Sequence, residues 1–201
     1  FYVVQEEVYN AFAGPGGHIF IYTGLMAAME SEEELAGILG HEVAHVTARH
    51  ISKRIDQAQK ISIATMAGVL AGVFLGGSAS TASAITTTSV AAGQSLSLKY
   101  SRDNEIEADQ LGLKYLTKAG YGGEGLLHIL QKIRKKQWFG SKQIPSYLCT
   151  HPASEERIVY LDSWMQVNRH QNPSAKPPIF GDFDKVRTKV IALYGDAKVA
   201  H

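Results

Sequence analysis

The spacing of apolar residues predicts helix for most of the chain. Leu35, Ile38 and Leu39 recur at helical intervals behind Ser31 and Glu34, a pair with capping-box spacing. Glu30, Glu32, Glu33 and Glu34 gather at the same amino end, where the helix dipole favours negative charge. A helix is therefore expected from Ser31 through His45, and a polar-faced helical pattern continues from Thr47 to Lys60. Ile106, Leu111, Tyr115 and Leu116 predict another helix from Ser101, with Gly120 as its stop. Further helices are expected over 125–136, 154–167 and 183–194, with loops at 121–125 and 140–145. The β-branched and aromatic run His18 to Tyr22 reads as a strand closed by Thr23 and Gly24. Residues 1–12 fit a strand or a short helix, and Asn10 to Gly17 is rich in turn formers. At a sheet edge, Gly17, His18, Ile19 and Phe20 would bind an extended peptide by strand addition. An ordinary core strand is the equal alternative.

A second pattern is the absence of charge from Ile61 to Leu98. Residues 63–77 are apolar apart from Thr65, and residues 78–97 are rich in serine, threonine and alanine. A spanning helix needs about 20 largely apolar residues. The apolar part is shorter and broken by glycines, so no span is expected. Packing against the core or over the active-site cleft is expected, with peripheral membrane contact through 61–98 as the alternative.

At 201 residues the chain can bury one substantial core. Its 20 basic and 19 acidic side chains leave a net charge of +1, which gives no footing for nucleic acid. Cys149 has no internal partner for a disulfide and is expected to be a buried thiol. The chain opens on Phe1, so the lack of a leader says nothing about compartment.

The chemistry is concentrated in Gly37-Ile-Leu-Gly-His-Glu-Val-Ala-His45. On a helix, His41 and His45 project from one face, one turn apart, and can share a zinc ion. Glu42 lies beside them, placed to take a proton from water. This is the His-Glu-x-x-His pattern of zinc metallopeptidases. The three-histidine extension of that pattern needs glycine at 48 and histidine at 51, where this chain has Ala48 and Ile51, so that subclass is rejected. A third ligand must come from elsewhere, and Glu105 fits. Asp109, one turn further on, can accept a hydrogen bond from a ligating histidine. Gly37, Gly40 and Ala44 form a small-residue strip against which Ala108 and Gly112 can lie. His151, before Pro152 and Ser154-Glu-Glu156, reads from spacing alone as a residue capping a helix.

Four segments stand in order: Asn10-Ala-Phe-Ala-Gly-Pro-Gly-Gly17, His41 to His45, Tyr100-Ser-Arg-Asp-Asn-Glu-Ile-Glu-Ala-Asp109, and Thr150-His-Pro with Glu156-Arg-Ile158. Together, over about residues 6–165, they resemble the gluzincin zinc metallopeptidase family of the CAAX prenyl protease, HtpX and BepA, nearest its soluble periplasmic type. The resemblance implies an α+β, mostly helical, zincin-like domain over 1–171, with a small β-sheet beside the His-Glu-x-x-His helix. It implies one Zn2+ held by His41, His45 and Glu105, Glu42 as general base and Asp109 behind the ligands. It implies that His151 faces the metal, either stabilising the oxyanion or holding the enzyme latent. It further implies cleavage of unfolded or misassembled envelope proteins in the periplasm, protein or peptide substrates, and the outer-membrane assembly machinery as a partner. Residues 172–201 read as a linker and C-terminal helix that can lead to a downstream domain. The rival reading is a zinc-containing, chaperone-like binding protein whose capped metal site does no chemistry.

Overall fold

A computed structural model describes residues 1–75, 78–139, 146–152, 155–169 and 182–194. The chain divides into two compact units, one of Phe1–Ala48 with Glu105–His201 and one of Arg49–Asn104. The boundary expected after 171, the linker at 172–178, the loop at 140–145 and the helix start at Ser154 lie outside the described residues.

The first unit holds a three-stranded sheet of β1 (Tyr2–Val4), β2 (Ala11–Ala13) and β3 (Ile19–Tyr22). Its order is β1-β3-β2, with β1 parallel and β2 antiparallel to β3. β3 pairs along both edges, and its alternation serves both faces of the sheet. Ile19 and Ile21 turn into the core, while Phe20 stacks on Phe12 at 4.9 Å and on Tyr2 at 5.1 Å. Strand addition at Gly17 to Phe20 is thereby corrected: both backbone edges of β3 are already paired, and β2 carries a free edge among the described residues. Part of the turn-rich segment is strand β2, followed by a 3-10 turn at Pro15–Gly17.

Helix α1 (Thr23–Ala28) follows β3 directly, and Thr23 closes the junction by donating its hydroxyl to the Glu6 carbonyl at 2.9 Å. Helix α2 (Glu32–Thr47) starts at Ser31, whose hydroxyl accepts the Glu34 amide at 3.2 Å. Glu34 does not return to Ser31. It accepts the Glu30 amide at 2.8 Å and pairs with Lys132 at 3.0 Å. Lys132 lies on α5 (Glu124–Phe139), which buries Leu126, Ile129, Leu130 and Ile133 in the core with Ile38 of α2. Gly37 serves this approach, because a Cβ there would meet the backbone of Leu126. Helix α6 (Ser146–Thr150) buries Tyr147 and Leu148 and leaves Cys149 exposed, against expectation, because one short turn cannot bury both faces. Helix α7 (Glu155–Arg169) adds Leu161 and Met165 to the core. Helix α8 (Phe183–Tyr194) packs on α1 through buried Val190, and Arg187 donates to the Ala27 carbonyl at 3.2 Å.

The second unit is built from α3 (His50–Leu75) and the amino-terminal part of α4 (Ala79–Lys118). The expected helix from Thr47 to Lys60 is broken by Arg49, whose φ of 57° is left-handed. The expected helix from Ser101 begins instead at Ala79, because intrahelical bonding carries the weakly patterned Ser/Thr/Ala segment. Gly72 faces Ala82 and Thr86, Gly68 faces Ser89 and Gly93 faces Thr65, so α3 and α4 run antiparallel. Residues 61–75 and 78–98 thus pack on each other within the second unit. No helix among the described residues is long and apolar enough to cross a membrane.

Candidate metal centre

Helix α2 brings His41 and His45 to one face, with their Nε2 atoms 3.0 Å apart. On α4, Glu105 sets Oε2 3.3 Å from His41 Nε2 and Oε1 3.4 Å from His45 Nε2. Ligand bonds of 2.0–2.1 Å in a tetrahedron place donor atoms roughly 3.3 Å apart, so this spacing suits three donors to one ion. All three residues are buried, which for an imidazole pair and a carboxylate is costly without a shared cation or proton. The approach of the two helices is set by missing side chains. A Cβ on Gly112 would lie 3.3 Å from the His41 Cα and 3.4 Å from the Gly40 carbonyl carbon. Ala44 and Ala108 are fully buried. The strip expected from the sequence therefore holds, except that Gly37 belongs to the α5 contact.

Behind the donors, Asp109 Oδ1 lies 2.9 Å from His41 Nδ1, fixing which nitrogen turns inward. Arg157, on α7 and almost fully buried, grips the same carboxylate with Nε at 2.7 Å and Nη2 at 2.8 Å. Its Nη1 donates to Glu105 Oε2 at 2.8 Å and to the Pro152 carbonyl at 3.0 Å. One guanidinium thus orients a donor carboxylate, the carboxylate behind a donor histidine, and the turn that carries His151. Sequence reasoning placed Arg157 in a motif without a role, since a lone arginine in a helix with a charged start normally faces solvent.

His151 is buried just after α6 and joins His41, His45 and Glu105 in a cluster whose donor atoms lie within 4.8 Å of one another. Its Nδ1 is 3.2 Å from both Glu105 oxygens, and its Nε2 is 3.5 Å from Glu42 Oε1. The ring stacks on Tyr147 at 4.8 Å. Tyr147 is a second residue that sequence reasoning missed; its apolar neighbours marked it only as core. Both Glu42 oxygens and the Tyr147 hydroxyl are buried without a hydrogen-bond partner among the described residues. Two unsatisfied groups so close to the donors are free to engage a metal, water or substrate. By contrast, His18 lies outside this cluster, as do its neighbours Gly17, Ile19 and Phe20.

The electrostatics follow from this packing. Burial pulls the His41 imidazole down, but Asp109 and Glu105 outweigh it and raise it to about 9. Burial pushes the Glu105 carboxyl up, yet hydrogen bonds from His151 and His41 hold it well below the usual range. Asp109 is likewise held low, against its burial, by the Arg157 guanidinium. Burial and the nearby Glu42 charge push the Tyr147 phenol well above its ordinary value. The buried carboxylates of Glu105 and Asp109 thus favour positive charge at His41, and the imidazoles and carboxylate present fit a metal.

A helix-borne histidine pair completed by a carboxylate from a second helix, in a mostly helical unit with a small sheet, defines a zincin-like metallopeptidase domain. The pattern of Peptidase family M48 matches residues 1–165, and the chain belongs to that family. It is 32% identical over 195 residues to a putative beta-barrel assembly-enhancing protease of Vibrio cholerae, covering 96% of this chain and 39% of that protein. It is 29% identical over 199 residues to the beta-barrel assembly-enhancing protease of Yersinia pestis, covering 97% of this chain and 39% of that protein. Similarity extends to the mitochondrial metalloendopeptidase OMA1 of Arabidopsis thaliana, with 35% identity over 159 residues, covering 79% of this chain and 30% of that protein. The chain therefore spans about two fifths of the length of the bacterial relatives.

Proposed function

We propose that this chain is a zinc-dependent endopeptidase acting on unfolded or misassembled envelope proteins. The observation that carries the reading is Glu42: a fully buried carboxylate with no hydrogen-bond partner among the described residues, one residue from a candidate donor histidine. A merely structural metal site has no use for a buried carboxylate left without a hydrogen bond, whose desolvation costs stability. His41, His45 and Glu105 would hold the ion, with Asp109 and Arg157 fixing their orientation. Zinc, when bound, supplies a Lewis acid and lowers the pKa of water towards about 7. Glu42 takes the proton of the attacking water and passes it to the leaving amine. His151, anchored through Glu105 and Tyr147, offers a hydrogen bond to the oxyanion of the transition state. The free edge of β2, in contact with α2, can align an extended peptide by strand addition, the role first expected of β3.

The bacterial relatives are named for beta-barrel assembly and for proteolysis, which supports a partnership with outer-membrane assembly machinery; the envelope substrate and the periplasmic location belong to the same proposal. Glu42→Gln tests the core of the reading. It should bind zinc as the wild type does and lose about 10²–10⁴-fold in cleavage of unfolded casein. Undiminished cleavage would remove Glu42 from the mechanism. A second reading, a latent enzyme or a capped chaperone-like site, is favoured by His151 standing as a fourth member of the donor cluster.

A further inference from the structure

None of the candidate donors lies in the unit Arg49–Asn104, which has a surface of its own. On α3, Ile63, Met66, Leu70, Val73 and Phe74 are all at least half exposed, Phe74 at 80%. Their three- and four-residue spacing puts them in one stripe along the helix. Gly68 and Gly72 face α4 instead. A groove of about 530 Å³, lined in part by Ile61, Met66, Val69 and Val90, extends the apolar surface between the helices. On α4, the Thr87 hydroxyl donates to the Ser83 carbonyl and the Ser89 hydroxyl to the Ile85 carbonyl, each at 2.9 Å. These hydroxyls are satisfied within their own helix, as an apolar medium requires.

Charge is sorted along the same hairpin. No charged residue lies between Lys60 and Lys99. Outside that interval the unit carries Arg49, Lys53, Arg54, Lys60, Lys99 and Arg102 against only Asp56 and Asp103. A neutral apolar end followed by a cationic collar mirrors a leaflet, whose hydrocarbon is followed by anionic headgroups. A protein partner would not require 38 consecutive uncharged residues. From Lys60 to Leu75 the helix rises about 22 Å, enough to enter one leaflet of a hydrocarbon core about 30 Å thick but short of crossing it. We propose that the α3–α4 hairpin docks on an anionic phospholipid bilayer, burying the stripe of Ile63 to Phe74 in one leaflet.

Vesicle flotation of the whole chain tests this without reference to peptidase activity. The wild type should float with phosphatidylcholine–phosphatidylglycerol vesicles and more weakly with phosphatidylcholine alone. Leu70→Glu with Phe74→Glu should abolish flotation on both. Lys60→Gln with Lys99→Gln should weaken binding to the mixed vesicles alone, by roughly fivefold per cation. Phe74→Trp, which preserves the apolar surface, should show blue-shifted emission on mixed vesicles relative to the wild type. The proposal is overturned if the wild type floats with neither vesicle, if the glutamate variant floats undiminished, or if vesicles leave the emission of the Phe74→Trp variant unmoved. Self-association through this stripe without vesicle binding would also overturn it and assign the surface to a second copy of the chain.

Discussion

Replacing Arg157 with methionine isolates what one buried cation does for the metal centre. The guanidinium makes two bonds to Asp109 and one to Glu105 while only 2% exposed. Its removal strands two buried carboxylates, and breaking a buried ion pair from one side costs about 3–5 kcal/mol. Glu105 and Asp109 also lose the partner that orients them, so zinc affinity should fall by about 10–100-fold. Arg157→Lys keeps a charge but cannot grip Asp109 with two nitrogens while reaching Glu105, and should fall between the two. Urea unfolding of chelator-treated protein measures the first effect, and competition with a chromophoric chelator the second. The pH dependence has a definite sign. Burial raises the Asp109 carboxyl, but Arg157 outweighs it and holds the folded value low. The stabilisation is therefore complete above the unfolded carboxyl value of about 3.9 and drains away as pH falls through the lower folded value. The stability gap between wild type and R157M should hold from about pH 7 to 5 and close below about pH 4. A variant within about 1 kcal/mol of the wild type at neutral pH, with zinc affinity changed by less than about twofold, would refute the reasoning.

Gly112→Val should weaken zinc binding more than Gly112→Ala. The added methyls press on the His41 backbone and push α4, with Glu105, away from α2, at a stability cost of about 1–3 kcal/mol; equal zinc affinity in the two variants would count against helix spacing as the control. Chelation of the holoprotein should lower its melting temperature, reversibly on adding zinc, with about 2.7 kcal/mol lost relative to zinc at 100 times its dissociation constant. An unchanged melting curve would mean that the donors bind no metal. His151→Ala should lower peptide turnover by about 10²–10³-fold while leaving zinc bound; a rise in turnover would show that the histidine caps the site.

The candidate donors that the structure brings together were legible in the sequence because their spacing is local. Four-residue spacing on α2 fixes the histidine pair, and Glu105 with Asp109 repeats that spacing on α4. The capping residue Ser31 and the limits of α8 were also readable, since caps and periodicity are local signals. What escaped the sequence depends on distant neighbours. Arg157 acquires its role only when α7 carries it to carboxylates roughly fifty residues earlier in the chain. The central place of β3 is set by pairing with β1 and β2, which no alternation pattern ranks. The full length of α4 was hidden because its serine- and threonine-rich start lacks an amphipathic rhythm, and the break at Arg49 because arginine seldom adopts a left-handed backbone.

The interval between His45 and Glu105 holds the whole of the unit Arg49–Asn104. The candidate donors come from α2, from the stretch of α4 that begins at Glu105 and from the turn after α6, all within the first unit, so the inserted hairpin can change its surface chemistry without touching any of them. The proposed docking surface and the candidate metal centre are written in separable stretches of one polypeptide, so selection can revise the one without disturbing the other.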